Sequence, residues 1–105
     1  MIDILGLIGL SKKAGKLSAG TFACETSIKS HDAKLIIIAT DASHNSKKTI
    51  KDSCSYYKVP FVEFSDMDSL GKYSGGGQKA AVSVNDDNFA TAIKQKIEMV
   101  QRKDR

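Results

Sequence analysis

Apolar positions recur along this chain with two different periods, and the switches between them mark its elements. Ile4, Leu5, Ile8 and Leu10 follow a helical period, so a first amphipathic helix is predicted, ending near Ala14-Gly15 because glycine is a natural helix stop. Lys16-Leu17 reads as a very short strand. Gly20 opens a second helix to about Ser30-His31, with Cys24 and Ile28 four residues apart on its inner face. The run Lys34-Leu35-Ile36-Ile37-Ile38-Ala39-Thr40 is unbroken and rich in β-branched residues, the pattern of a strand covered on both faces. Asp41-Ala42-Ser43 follows as a loop, and Ser43 or Asn45 is expected to cap a third helix whose stripe is Ile50, Cys54 and Tyr57. Val59-Pro60 breaks that helix, and Phe61-Val62-Glu63-Phe64 reads as a strand. Ser65-Asp66-Met67-Asp68 has capping-box spacing and starts a short fourth helix, stopped by Gly75-Gly76-Gly77. Ala80 to Val84 is a further strand. Asn85 is the expected cap of a last helix, which has Asp86 and Asp87 in its first turn, Phe89, Ile93, Ile97 and Val100 as its apolar stripe, and basic residues beyond its end.

Strands and helices alternate, and the segment from Leu35 to Phe64 has the form of a right-handed βαβ unit. The expected fold is therefore α/β, a three-layer α-β-α sandwich around a small mixed sheet, formed by one domain over residues 1–105 without repeats or linkers.

Composition narrows the class. The hydrophobic fraction of 41% and charged fraction of 27% suit a folded soluble chain. The longest strongly apolar stretch, Leu35 to Ala39, is far short of the ~20 residues that span a bilayer. Met1-Ile2-Asp3-Ile4 lacks a basic leader segment and two cysteines do not make a disulfide framework, so a cytoplasmic protein with no membrane partner is expected. The net charge of +4 is mild. Its clusters, Lys12-Lys13-Lys16, Lys47-Lys48-Lys51 and Arg102-Lys103-Arg105, are either solvated helix faces or a phosphate-binding footprint, depending on which of them share a face.

Few residues ask for catalysis. His31 and His44 lack metal-ligand spacing, Cys24 and Cys54 sit on apolar stripes as small core residues, and the acids fit strand ends and helix caps. Neither metal nor cofactor is expected. Gly75-Gly76-Gly77-Gln78-Lys79 is not a P-loop, since no Lys-Ser or Lys-Thr follows and a strand comes next. It is either a helix stop with a tight connection or a flexible loop able to approach a ligand backbone. Leu17-Ser18-Ala19-Gly20 says more. A glycine at a helix start exposes free N–H groups, and Lys12, Lys13 and Lys16 precede it, an arrangement suited to an anionic backbone. Phe22 either packs against the first helix or projects outward to stack on an unpaired base.

These residues, read in order, carry a resemblance. Leu5-Gly6-Leu7, Lys12-Lys13-Ala14-Gly15-Lys16-Leu17, Gly20, Ala33-Lys34-Leu35, Asp41-Ala42-Ser43, Asn45, Lys47-Lys48, Tyr56-Tyr57, Val59-Pro60 and Leu70-Gly71 resemble the ribosomal protein L-seven-Ae family, nearest its bacterial YlxQ-type branch. The resemblance runs from about residue 5 to residue 93. It implies the same three-layer sandwich and binding to kink-turn RNA, a bent duplex with tandem sheared G·A pairs beside a bulge. By that likeness the RNA is gripped by the neighbourhoods of Gly20, of Asp41-Ala42-Ser43 and of Gly75 to Ala80. Well-studied members carry Gly-x-Asn-Glu-x-x-Lys at the helix start, where this chain has Phe22, Ala23 and Thr26. Apolar residues over the bulged bases are replaced by Gly76, Gly77, Gln78 and Lys79. Base readout is therefore expected to be weak or altered, with backbone binding kept.

The function expected from the sequence is that of a non-enzymatic binder of structured RNA, of kink-turn type or ribosomal, within a ribonucleoprotein that includes protein partners; DNA is not expected. Lys12, Lys13, Lys16, Lys34, Lys47 and Lys79 are expected at phosphates, and Gly20, Thr21, Phe22, Thr26, Asp41, Ser43, Gly76, Gly77 and Gln78 at the RNA surface. Two alternatives stay open: a protein–protein regulatory module with reduced RNA specificity, and a small enzyme or nucleotide-binding domain using Gly75 to Lys79.

Overall fold

The structure, a computed structural model, describes residues 3–103. Its elements in chain order are α1 (Ile4–Lys13), β1 (Leu17–Ala19), α2 (Thr21–Lys29), β2 (Leu35–Ile38), α3 (His44–Tyr57), β3 (Phe61–Glu63), α4 (Met67–Tyr73), β4 (Ala81–Val84) and α5 (Asp87–Lys103). The sheet order is β1-β4-β2-β3. Only β2 and β3 pair in parallel, as the α3 crossover between them requires, and both other pairings are antiparallel. The sheet is thus mixed. Helices α2 and α3 pack together on one of its faces, and α1, α4 and α5 on the other, giving the three layers.

The central strands follow from composition. Every residue of β2 and of β4 is buried, because helices cover both faces there, and β2 is built from Leu35, Ile36, Ile37 and Ile38. Ile8 of α1, Cys24 and Ile28 of α2, Ile50 and Cys54 of α3, Leu70 of α4 and Ile93 and Ile97 of α5 complete the core at helical spacings. Ser43 caps α3 by accepting from the N–H of Ser46 at 3.1 Å, and Asp66 caps α4 by accepting from Ser69 at 2.7 Å.

Two sequence expectations are corrected. The cap of α5 is Asp86, whose carboxylate accepts from the N–H of Phe89 at 3.0 Å. Asn85 turns toward the sheet instead: its amide donates to Ser18 Oγ at 2.9 Å, and its carbonyl oxygen accepts from Ser83 at 2.6 Å. Ser27 of α2 donates to the same Ser18 oxygen, so a polar cluster ties β1, β4 and α2 together. The last helix also extends through Lys103, which places Arg102 and Lys103 inside it rather than past its end, while Arg105 lies outside the described residues.

Candidate nucleic-acid interface

Sheet direction decides which loops meet. Ala19 pairs with Val82, and Ile38 pairs with both Ala81 and Glu63, so the ends of β1, β2 and β3 and the start of β4 share one sheet edge. Backbone bonds hold the adjoining residues there: Gly20 N–H to Ala81 O at 2.9 Å, Ala39 N–H to Ala80 O at 2.8 Å and Thr40 N–H to Ser65 O at 2.8 Å. The start of α2, the loop after β2 and the loop before β4 are therefore neighbours.

At this edge three helices begin, and they differ at their first turns. Helix α3 is capped by Ser43. Helix α4 is capped by Asp66, and Asp41 also accepts from the N–H of Met67 at 2.9 Å. Helix α2 has no side-chain cap, because its N-cap is Gly20. The glycine is required there: φ 99° and ψ 156° lie in a region essentially reserved to glycine, and this turn carries β1 into α2. Among the described residues, α2 is the one helix whose leading N–H groups receive no side-chain acceptor; Asp3 serves α1 and Asp86 serves α5. Phe22, in that first turn, is 85% exposed, so it does not pack against α1. Cys24 and Ile28 fill the inner face, and Glu25 is turned to α3, accepting from Ser53 at 3.2 Å. Thr26 is exposed, its hydroxyl bonded back to Phe22 O at 3.1 Å.

The loop before β4 folds back along α4. Gly76 N–H donates to Gly71 O at 2.6 Å, Gln78 Nε2 to Asp68 at 2.8 Å and Lys79 N–H to Met67 O at 3.1 Å. Gly71 makes this possible, since a Cβ there would lie 1.4 Å from Gly77 O. Gly76 and Gly77 are exposed, and Lys79 Nζ lies 3.7 Å from where a Cβ on Gly77 would stand.

The remaining sequence candidates separate. Lys16 and Lys34 precede their strands and so lie at the opposite sheet edge, where Asn85 N–H donates to Lys16 O and Lys34 N–H to Val84 O. Gly20 follows Lys16 by four steps along extended β1, roughly 13 Å. Lys47 is committed to Glu63 at 3.0 Å, and Lys51 holds the other Glu63 oxygen at 2.7 Å. The hydrogen bonds of Lys51, then Lys47, keep the Glu63 carboxyl below its ordinary pKa. Lys12 and Lys13 close α1 beside α4, away from Gly20. The edge thus unites Gly20, Thr21, Phe22, Asp41, Ser43, Gly77, Gln78 and Lys79, but Asp41, Ser43 and Gln78 already hold the loops in place. The cysteines are not a reactive centre: burial raises the Cys24 thiol pKa to about 12 and that of Cys54 to about 11.

A family model for the ribosomal protein L7Ae/L30e/S12e/Gadd45 family matches residues 3–102. The chain belongs to that family. It is 37% identical over 94 residues to the RNA-binding protein YlxQ of Enterococcus faecium, covering 90% of each chain. It is 34% identical over 87 residues to the protein of the same name from Bacillus subtilis (strain 168), covering 83% of this chain and 87% of the relative. A solved structure of a protein with unknown function from Bacillus halodurans shares the fold, with a TM-score of 0.87 at 24% identity, covering 93% of this chain and 99% of the other. Against the L7Ae pattern, the sequence pointed to the Gly20 turn and included Leu70-Gly71 in the resemblance, but the packing of Gly71 against Gly77 was missed. Its signal was a glycine in the middle of a seven-residue helix, a position that costs about 1 kcal/mol relative to alanine unless something else needs the space.

Proposed function

We propose that this L7Ae-family chain is a non-enzymatic RNA-binding protein that seats a sharply bent duplex of kink-turn type on the sheet edge described above, in a cytoplasmic ribonucleoprotein. One observation carries the reading: the uncapped start of α2, set by Gly20, stands beside an 85% exposed phenylalanine. Free N–H groups there have anion-binding geometry, and the aromatic ring offers a face to an unstacked base. Lys79 supplies a cation from the neighbouring loop. A bent duplex crowds its phosphates, and a compact cluster of donors is what relieves that crowding. Both YlxQ relatives are RNA-binding proteins by name, which supports this reading.

The helix start also sets the character of the binding. Phe22, Ala23 and Thr26 stand where Asn, Glu and Lys read G·A pairs in the pattern described above. Recognition is therefore through backbone and shape, with stacking from Phe22, more than through hydrogen bonds to base edges.

Electrophoretic titration tests this with a kink-turn RNA and a copy whose G·A pairs are replaced by Watson–Crick pairs. The expected result is binding that weakens steeply with salt and falls when the bend is abolished. Undetectable or salt-independent binding overturns the proposal.

A further inference from the structure

Between α1 and α4 lies an open groove of about 340 Å³ lined by Gly6, Gly9, Leu10, Lys12, Lys13, Lys72 and Tyr73. It lies on the helical layer that α2 does not belong to. Resting on the RNA-binding reading, the geometry points to a second contact in this groove, where Lys12, Lys13 and Lys72 neutralise the phosphates of an RNA arm leaving the bend.

The groove exists because α1 has glycine at both Gly6 and Gly9, one turn apart, where side chains would fill it. Tyr73 forms a wall, its ring edge 3.5 Å from where a Cβ on Gly9 would stand. All three lysines are exposed, and among the described residues none pairs with a carboxylate or donates a hydrogen bond. Among the described residues, no acid lines the groove.

A purely structural role would be to face the helix ends, since Lys12 and Lys13 lie in the last turn of α1 and Lys72 in that of α4. That role leaves charge over. Two helix C-termini present about half a negative charge each, roughly one in all, against three cations. Five of the terminal carbonyls are also already bonded: Leu10, Ser11 and Lys12 of α1 accept from Ala14, Lys16 and Gly15, while Leu70 and Gly71 of α4 accept from Ser74 Oγ and from the N–H groups of Ser74 and Gly76. Among the described residues the ammonium groups therefore have no carboxylate or carbonyl partner, and that of Lys72 lies 5.8 Å from the centroid of the Tyr73 ring.

The occupant follows from the kind of charge and from its place. Three flexible lysines neutralise a polyanion but lack the fixed fork that selects one small anion. The groove is also continuous with the proposed interface. Lys12 lies along Gly75, its Cε 3.6 Å from where a Cβ would stand, and residues 75–79 run from there beside α4 to Lys79 at the sheet edge. Helix α4 spans about 10 Å. Even at the B-form spacing of one charge about every 3.4 Å along a strand's axis, the track is long enough for about three successive phosphates, and the A-form rise of RNA is shorter.

The test compares the variant Lys12→Gln/Lys13→Gln/Lys72→Gln with Lys29→Gln/Lys58→Gln/Lys94→Gln, which removes the same charge from exposed sites elsewhere. Both full-length proteins are titrated with one kink-turn RNA whose two arms extend past the 33 Å length of the protein, over a range of salt. The groove variant should bind at least about tenfold more weakly at ~0.1 M salt. Its slope of log affinity against log salt should fall by about 2–3, at ~0.9 per released phosphate contact. The control should change its slope by less than about one. Equal slopes for the two variants overturn the groove while leaving the RNA reading intact. Failure of the wild-type protein to bind overturns both. Exposed lysines are not needed for folding, so melting temperatures should match. Lys72→Glu alone, set against Lys58→Glu, repeats the comparison with one substitution each and should show the larger loss at position 72.

Discussion

Replacing Gly71 with alanine probes how the loop before β4 is held. The added Cβ would lie 1.4 Å from Gly77 O, 2.6 Å from Gly77 C and 3.2 Å from Gln78 Cα. These are backbone atoms, which cannot rotate aside as a side chain would. Either residues 75–79 lift off α4 or the helix shifts. Lifting strains or breaks the bonds from Gly76 to Gly71 and from Lys79 to Met67, each worth about 1 kcal/mol net. Overpacking of this kind costs about 1–3 kcal/mol, and alanine's better helix propensity returns up to about 1 kcal/mol. The net loss of ~1–2 kcal/mol should lower the midpoint of a circular-dichroism melt by roughly 5–15 °C. Hydrogen exchange should localise the change, with the amides of Gly76 and Lys79 losing protection while those of β2 keep theirs. An unchanged or higher melting temperature, with both amides still protected, refutes the reasoning.

Phe22→Ala should leave stability within ~0.5 kcal/mol, because the ring is exposed, yet weaken RNA binding by ~1–3 kcal/mol in the same titration. The pH dependence of unfolding should carry a contribution from Glu63. Its folded pKa is depressed by Lys51 and Lys47, so the stabilisation is fully present above the unfolded carboxyl's pKa of about 4.3 and lost as pH falls through the lower folded value. Urea titrations between pH 2 and 6 should show a shallower acid-side slope in Glu63→Gln. A thiol reagent at pH 8 should modify Cys24 and Cys54 at least about a hundredfold more slowly in the folded protein than in urea, since burial disfavours both thiolates; matching rates would contradict that burial.

Much of the fold was legible because periodicity and punctuation agree. The isoleucine run of β2, the Ile50–Cys54 stripe of α3 and the Ser43 cap each follow from a local rule, whereas the capping-box spacing that begins at Ser65 put the start of α4 one residue before its observed cap, Asp66. The site was legible only where one segment determined it, as at Gly20. Lysine grouping was not, because it depends on strand direction: Lys16 and Lys34 enter β1 and β2, whereas the interface lies where those strands end and antiparallel β4 begins. The pairing of Lys47 with Glu63 needs β3 beside β2, which is a property of the sheet. Asn85 and Asp86 are equally good caps by type, and the choice between them was made by Ser18 on the neighbouring strand together with Ser83 two residues earlier. The contact of Gly71 with Gly77 depends on a loop doubling back, and no local pattern encodes that.

Strand β1 has only three residues and one neighbour, so its backbone pairing alone would let it slide. The bonds from Asn85 and Ser27 to Ser18 prevent this, because a shift of one position would turn Ser18 to the other face and leave a part-buried amide without that partner. The same shift would carry Gly20 about 3.3 Å along the sheet, more than the length of a hydrogen bond. A serine hydroxyl therefore acts as the gauge that sets how far the chain advances before it turns, and the aim of the next helix inherits that setting.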